Sequence, residues 1–303
     1  LVAALTVHHE SNRQIKDKSV PELPEVETMV RGIRPIAEGA DVVDFEACPC
    51  LRQPIAVGPD FDTVRKMQLG QTVRAVTRLG KRAVLTFGNG GAVVIEPRMT
   101  GLLLIADPPT VEHLRLRWIF RTRGKHQSLW FWDRRGLGTV RWLDAEQYRQ
   151  LAEVLLGPDP FTLSIDAWRE RLARTARPVK VALLDQKLVA GIGNLYASEI
   201  LHQARISPFL PANRLKADQV GRLMAATQHI LSEAIRYEGS TLGDGTYRNA
   251  LNRDGSYQNK HGVYMKAGQT CQQCRRGLVR REVQAQRSTF FCPVCQPVPR
   301  SSR

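Results

Sequence analysis

The chain has 303 residues, 43% hydrophobic and 24% charged, enough for two ordinary domains with cores of their own. Lys and Arg total 44 against 29 Asp and Glu, a formal charge of +15, which points to a polyanionic partner because each neutralised phosphate releases condensed counterions. No apolar run is long enough to span a bilayer, no basic amphipathic helix marks a membrane-surface protein, and the six cysteines are clustered rather than spread as in a secreted disulfide framework, so a reducing, cytoplasmic setting is expected.

Residues 1–20 read as an extension. Leu1–Val7 is a short apolar stretch without the basic start or cleavage site of a signal peptide. Val20 is a candidate initiator: a GTG codon there would be read as Met and removed, leaving Pro21 first. From Glu22 a helix is predicted, with Glu22, Glu25 and Glu27 in its first turns, Val26, Val30 and Ile33 on one face, and Gly39 closing it. Strands follow at 71–78, 81–87 and 92–95, the last two joined by the turn Gly88-Asn89-Gly90-Gly91. A hairpin across Gly124 joins 113–121 to 128–132, and 136–142 adds a strand, so 21–148 reads as a β-sandwich or barrel with the first helix packed on it. Helical periodicity takes over at 145–156, breaks at Gly157-Pro158-Asp159-Pro160, and resumes at 165–174, 179–186, 197–203, 217–235 and around Thr241. The Gly-, Asn- and Tyr-rich stretch 243–262 is expected to be a mobile loop. The expected division is a sandwich domain over 21–148, a helical domain over 149–256, a metal module over 257–297 and a tail over 298–303.

Cys271-x-x-Cys274 and Cys292-x-x-Cys295 are separated by seventeen residues (275–291), a spacing suited to one tetrahedral four-thiolate zinc. With every position a thiolate, no coordination site is left for chemistry, so the zinc is structural. A short hairpin, 278–284 with 288–291, fits between the pairs, and Arg275, Arg276, Arg280, Arg281 and Arg287 make it a candidate phosphate contact. Cys48 and Cys50, which flank Pro49, find no role at this level.

Several motifs occur in one order. They are Pro21-Glu22-Leu23-Pro24-Glu25-Val26-Glu27-Thr28, Arg78-Leu79-Gly80-Lys81-Arg82, Met99-Thr100-Gly101 and Asp133-Arg134-Arg135-Gly136-Leu137-Gly138. Beyond these come Gly191-Ile192-Gly193-Asn194-Leu195-Tyr196-Ala197-Ser198-Glu199, then Val263-Tyr264 and the run from Ala285 to Cys292. From Pro21 to about Gln296 the chain resembles the formamidopyrimidine-DNA glycosylases. The resemblance implies an α+β two-domain fold: an N-terminal β-sandwich with a leading α-helix, and a C-terminal helix-two-turn-helix domain with a four-cysteine zinc-finger hairpin. It also implies a base-excision-repair glycosylase with abasic-site lyase activity, acting as a nucleoid-associated monomer on damaged double-stranded DNA.

In the resemblance Pro21 is the nucleophile. An α-amine titrates near about 8 against about 10.4 for a Lys side chain, so more of it is neutral at pH 7. As a secondary amine it gives an iminium ion with a sugar carbon, and that cation drives strand cleavage by elimination. Glu22 is implied to protonate the opening sugar oxygen, with Glu25 orienting the site. Lys81 and Arg287 are implied to hold phosphate near the scissile bonds. Met99, Arg135 and Leu137 match the positions that fill the gap left by an extruded base, although spacing alone would put Met99 and Leu137 in the core. His113, Lys180, Asn194 and Tyr264 match backbone-binding positions.

The sequence departs from the family at Glu96-Pro97-Arg98, which adds a carboxylate near the lesion pocket, at the Leu137 wedge, where the family has Phe, and in the loop 243–262. Oxidised purines (8-oxoguanine and formamidopyrimidines) are the expected substrates. An endonuclease-VIII-like preference for oxidised pyrimidines is the near alternative. A non-catalytic damaged-DNA-binding protein is the other, should Pro21 not be the mature N-terminus.

Overall fold

A computed structural model of the chain describes residues 21–52 and 54–298; Leu1–Val7, Val20 and the tail beyond 298 lie outside the described residues. Helix α1 (Leu23–Ala37) starts with Pro24 in its first turn and buries Val26, Met29, Val30 and Ile33, while Glu38 follows in extended conformation and Gly39 in the left-handed region. Next come β1 (Asp41–Ala47), β2 (Ala56–Gly58), α2 (Phe61–Gln68), β3 (Val73–Leu79), β4 (Arg82–Phe87), β5 (Ala92–Glu96), β6 (Gly101–Leu104), β7 (Leu114–Thr122), β8 (Lys125–Asp133) and β9 (Thr139–Leu143). They form two sheets, ordered β1-β7-β8-β6 and β2-β9-β5-β4-β3, antiparallel except for the β2–β9 pair. The inner faces enclose one core with α1, including Phe45, Leu85, Ile95, Trp118 and Phe131.

Helix α3 (Ala145–Gln150) is capped by Asp144, whose carboxylate accepts from the Gln147 N–H, and runs into a π-helical turn, Leu151–Leu155. The helical domain comprises α4 (Ile165–Ala173), α5 (Val179–Leu183), α6 (Asn194–Gln203) and α7 (Ala217–Arg236) around Trp168, Leu183, Tyr196, Ile200 and Leu231. The chain ends in the hairpin β10 (Arg280–Gln284) and β11 (Arg287–Phe291), whose Phe290 joins the helical core. The two domains meet on the outer face of the second sheet, where Val84 and Val94 pack with Leu151, Leu156 and Ala190. Arg78 reinforces that joint by pairing with Glu27 of α1 and with Asp159 in the break before α4.

Two expectations need correcting. Among the described residues no helix forms around Thr241, whose hydroxyl instead donates to the Tyr247 carbonyl. The stretch 243–262 is anchored rather than free: Tyr247 is fully buried, Ala250 joins the sandwich core, and the Ile105 N–H donates to the Ala250 carbonyl at 2.9 Å. Elements unread in the sequence are β1, β2, α2 and β6. No helix among the described residues is long and apolar enough to cross a membrane.

The anchoring predicts the sign of one substitution. A Cβ on Gly32 of α1 would lie 2.4 Å from the Ala250 Cβ. Replacing a helical Gly by Ala ordinarily stabilises by about 1 kcal/mol, whereas overpacking costs about 1–3 kcal/mol. Gly32→Ala should therefore lower the urea midpoint; a raised midpoint would show that this contact does not fix the loop.

Candidate active site

The site lies where the start of α1 meets the start of α6. The Leu23 N–H donates to the Gly191 carbonyl at 3.0 Å, bringing Pro21 and Glu22 against the turn that precedes α6. Pro21 is buried. Glu22, only 4% exposed, turns its carboxylate onto the N-terminus of α6, accepting from the N–H groups of Gly193 at 2.7 Å, Leu195 at 3.0 Å and Tyr196 at 3.4 Å. The sequence placed this carboxylate at the positive end of its own helix; the dipole it meets is that of α6. Gly193 is required by close approach, since a Cβ there would sit 2.3 Å from the Glu22 Cδ and 2.5 Å from the Lys81 Nζ.

Lys81, at the β3–β4 turn, thus brings its ammonium to the same point. Burial pushes Glu22 above the usual carboxylate range, against the pull of Lys81 and the three N–H groups. Burial also pushes Lys81 down, opposed by Glu22 and assisted by the nearby Arg287. Arg287 is exposed at the start of β11, just past the Ala285-Gln286 turn of the hairpin.

Behind Glu22 stands Glu25, which accepts from the Glu22 N–H at 3.0 Å, the Tyr196 hydroxyl at 2.6 Å and the Ser240 N–H at 2.9 Å. Burial, with the neighbouring Glu22 charge, pushes it up to about 7 despite these donors. Tyr196 and Ser240 were not singled out in the sequence. A tyrosine in the first turn of a helix was the available signal for the first; Ser240 offered none.

Asn194 opens α6, half-buried, and its Oδ1 accepts from the Lys180 Nζ at 2.6 Å. Lys180 itself is fully buried and also donates to the Ser288 carbonyl of β11, so it lies behind the surface and links α5, α6 and the hairpin. Tyr264 is 4% exposed and packs edge-on against Phe290 and His261. Its N–H and those of Gly262 and Val263 all donate to the buried Glu199 carboxylate, another residue not singled out.

Met99 lies between β5 and β6, and Arg135 and Leu137 lie between β8 and β9. Met99 is half-buried, Arg135 and Leu137 are exposed, and the Arg135 Nη1 lies 2.8 Å from the Met99 Sδ. Leu137 is therefore not core. Their loop is held by Asp133, which accepts from Thr100 and from the N–H groups of Arg135 and Gly138. His113 is 5% exposed, with its Nε2 3.0 Å from Glu112 and its Nδ1 without a partner among the described residues; burial lowers its pKa. The extra carboxylate, Glu96, is taken up by Arg82 of the neighbouring strand at 3.1 Å and by Arg98 at 3.0 Å.

The four sulfurs of Cys271, Cys274, Cys292 and Cys295 lie within 4.8 Å of one another. The spacings Cys271–Cys295 and Cys274–Cys292 are 3.8 and 3.7 Å, the edge expected of a tetrahedron with zinc–sulfur bonds of about 2.3 Å. The donor set fits one structural zinc. His202, near the end of α6, places its Nε2 3.3 Å from the Cys271 Sγ, a position from which it would donate to a zinc-bound thiolate.

Comparisons with known proteins agree along the chain. A family model described as the formamidopyrimidine-DNA glycosylase N-terminal domain matches residues 20–140, its H2TH domain matches 156–245, and a zinc finger found in FPG and IleRS matches 268–298. The formamidopyrimidine-DNA glycosylase of Chloroflexus aurantiacus is 37% identical over 279 residues, covering 91% of this chain and 98% of the relative. The crystal structure of the MutM (Fpg) protein from Thermus thermophilus superposes with a TM-score of 0.79 at 35% identity, covering 92% of this chain and all of that one. A complex between the Lactococcus lactis Fpg and an abasic site containing DNA gives 0.78 at 31% identity, covering 91% of this chain and all of that one.

Two outcomes are expected. The folded pKa of Glu25, about 7 against an ordinary 4.5, means the folded state holds an extra proton between those values. Its contribution to stability is complete below pH 4.5 and is lost as pH rises through 7, a swing on the order of 3 kcal/mol. Urea unfolding of the zinc-loaded protein should show this fall, and the difference from Glu25→Gln across pH 5 to 8 should isolate it; parallel profiles would refute the assignment. Stripping the metal with a chelator should release one zinc per chain and expose the β10–β11 amides to hydrogen exchange, while the sandwich amides stay protected.

Proposed function

The chain belongs to the formamidopyrimidine-DNA glycosylase family, and from that premise we propose that it excises oxidised purines from duplex DNA and then cleaves the strand as an abasic-site lyase, with Pro21 as its mature N-terminus. The observation that carries this reading is the buried Glu22 carboxylate on the α6 N-terminus, directly beside Pro21 and within reach of Lys81. The N-terminal domain match beginning at residue 20 supports Pro21 as the first residue of the working enzyme.

The Pro21 nitrogen attacks the sugar C1′, the glycosidic bond breaks, and the base leaves with its electron pair and takes up the proton that the Pro21 nitrogen sheds, which restores the nitrogen lone pair. Glu22, whose burial favours its protonated form, delivers that proton to the ring oxygen as the sugar opens, and the nitrogen lone pair completes an iminium. The iminium withdraws electrons from C2′, a proton is lost there, and the 3′ phosphate departs; a second elimination expels the 5′ phosphate. Lys81 and Arg287 converge where these phosphates would stand, and Asn194, held by Lys180, with Tyr264, held by Glu199, would position the backbone. Met99, Arg135 and Leu137 would fill the space vacated by the base. The zinc holds the hairpin that carries Arg287 and takes no part in these steps.

Oxidised purines are favoured because similar solved structures include complexes with Fapy-dG containing DNA and with carbocyclic 8-oxo-G containing DNA. The test joins N-terminal sequencing of the protein from its host with borohydride trapping on duplexes bearing 8-oxoguanine or an oxidised pyrimidine. We expect a chain starting at Pro21, a covalent adduct on the purine substrate, and a loss of base excision of roughly 10²-fold or more in Glu22→Gln. An adduct favouring pyrimidine lesions would move the specificity to the endonuclease-VIII type. An acylated Pro21 with tight binding but no adduct would leave a damaged-DNA-binding protein.

A further inference from the structure

The unexplained cysteines line a cleft of about 1270 Å³, which none of Pro21, Glu22, Lys81, Asn194 or Arg287 borders. Its walls bring together Arg52, Arg115, Arg134 and Arg135 around the half-buried Trp130, with Glu112 as the one acid among the lining residues. Arg115 is 5% exposed and aimed: its Nε donates to the Asp133 carbonyl at 2.8 Å and its Nη1 to the Cys50 Sγ at 3.1 Å. The Cys50 thiol in turn donates to the Glu112 carbonyl at 3.1 Å. A thiol and a backbone carbonyl thus orient a buried guanidinium. His113 is driven toward its neutral form by burial, with Arg52, Arg115 and Arg134 adding to this against the pull of Glu112. At the rim Leu51 is fully exposed and Val111 is 75% exposed.

We infer that this cleft binds the backbone of the DNA strand opposite the lesion, taking a phosphate among its arginines with a sugar or base edge against Leu51 and Trp130. The inference rests on the glycosylase reading and deepens it. Arg135 belongs both to the cleft wall and to the group that would enter the duplex beside Met99. The lesion strand would lie on the Lys81 side of that group, so the strand reached beyond Arg135 is its complement. The volume exceeds the roughly 300–1,000 Å³ of a small-molecule pocket, which suits a polymer passing through. Four guanidiniums against one carboxylate select phosphate. Contacts of this kind position a duplex without reading its sequence, and they would make the protein prefer duplex over single-stranded damage.

The experiment compares a short duplex carrying a tetrahydrofuran abasic analogue with the same lesion strand alone, using wild type and Arg52→Ala. Arg52 is exposed, and an unchanged melting temperature checks the fold. For the duplex, Arg52→Ala should lose roughly fivefold in affinity, with the slope of log K against log salt shallower by about 0.9. Single-strand binding should not change. Cys50 and Cys48 supply a second readout, because the other four cysteines belong to the zinc site. The duplex should protect both thiols from iodoacetamide, whereas the single strand and inorganic phosphate should not. Equal losses on both substrates, no loss on the duplex, or protection by inorganic phosphate alone would overturn the assignment. Wild type that ignores the duplex would remove the glycosylase reading with it, whereas wild type that cleaves the duplex with Arg52→Ala unimpaired removes only this one.

Discussion

A carboxylate buried at the meeting of two domains needs several donors to be tolerated there, and Glu22 finds them in another domain's helix. Gly193, Leu195 and Tyr196 provide N–H groups that α6 leaves unpaired at its start. The bond is reciprocal in effect: the sandwich supplies the cap that α6 lacks, and α6 supplies the solvation that Glu22 lost. Because Pro21 is the preceding residue, the interaction that docks the domains also fixes the residue we propose as nucleophile. Gly193 without a side chain and the Leu23–Gly191 bond follow from this contact, since either one relaxed would pull the carboxylate off the helix end.

The electrostatics around that contact are balanced by burial rather than by pairing. Two acids, Glu22 and Glu25, share a backbone link, and each is pushed toward its neutral form. Burial pushes Lys81 toward its neutral form as well, and the nearby Arg287 adds to that. A chain with a charge of +15 can hold two buried acids here because the surrounding positive field and the α6 dipole offset part of their desolvation. Glu96 illustrates the contrary case: enclosed by Arg82 and Arg98, it is neutralised as an ion pair and adds no free charge to the cleft.

Much of this could be read from the sequence, and the failures have local causes. The α1 face, the β4–β5 turn, the β7–β8 hairpin and the cysteine spacing all announce themselves by period or by turn residues. Strand β1 does not, because a bulge between Val42 and Asp44 shifts its alternation. Strand β6 is four residues buried on both faces, so Gly101–Leu104 has no period at all. Helix α2 is short and buries only Val64 and Gln68. The loop 243–262 has a composition suited to mobility, yet Tyr247 and Ala250 are taken into the core by partners far away in sequence. The individual site residues were legible as motif letters, but the partners of Glu25 were not, since Ser240 contributes only its backbone.

Helix α6 explains why the zinc module belongs to the site although its metal is remote from the chemistry. Its first turn receives Glu22 and carries Asn194, which Lys180 ties to the Ser288 carbonyl of the hairpin. Its middle offers Glu199 to three consecutive N–H groups from Gly262 to Tyr264. Its end sets His202 against the Cys271 sulfur. One rigid rod of ten residues thereby fixes the Glu22 carboxylate, the approach of Tyr264 and the root of the hairpin relative to each other. Strand β10 is exposed or half-exposed along its whole length, so the hairpin is held through β11, whose Phe290 joins the helical core, and through the metal and this rod, which together give Arg287 its place near Lys81. The zinc is structural in coordination, and its consequence is where a guanidinium stands.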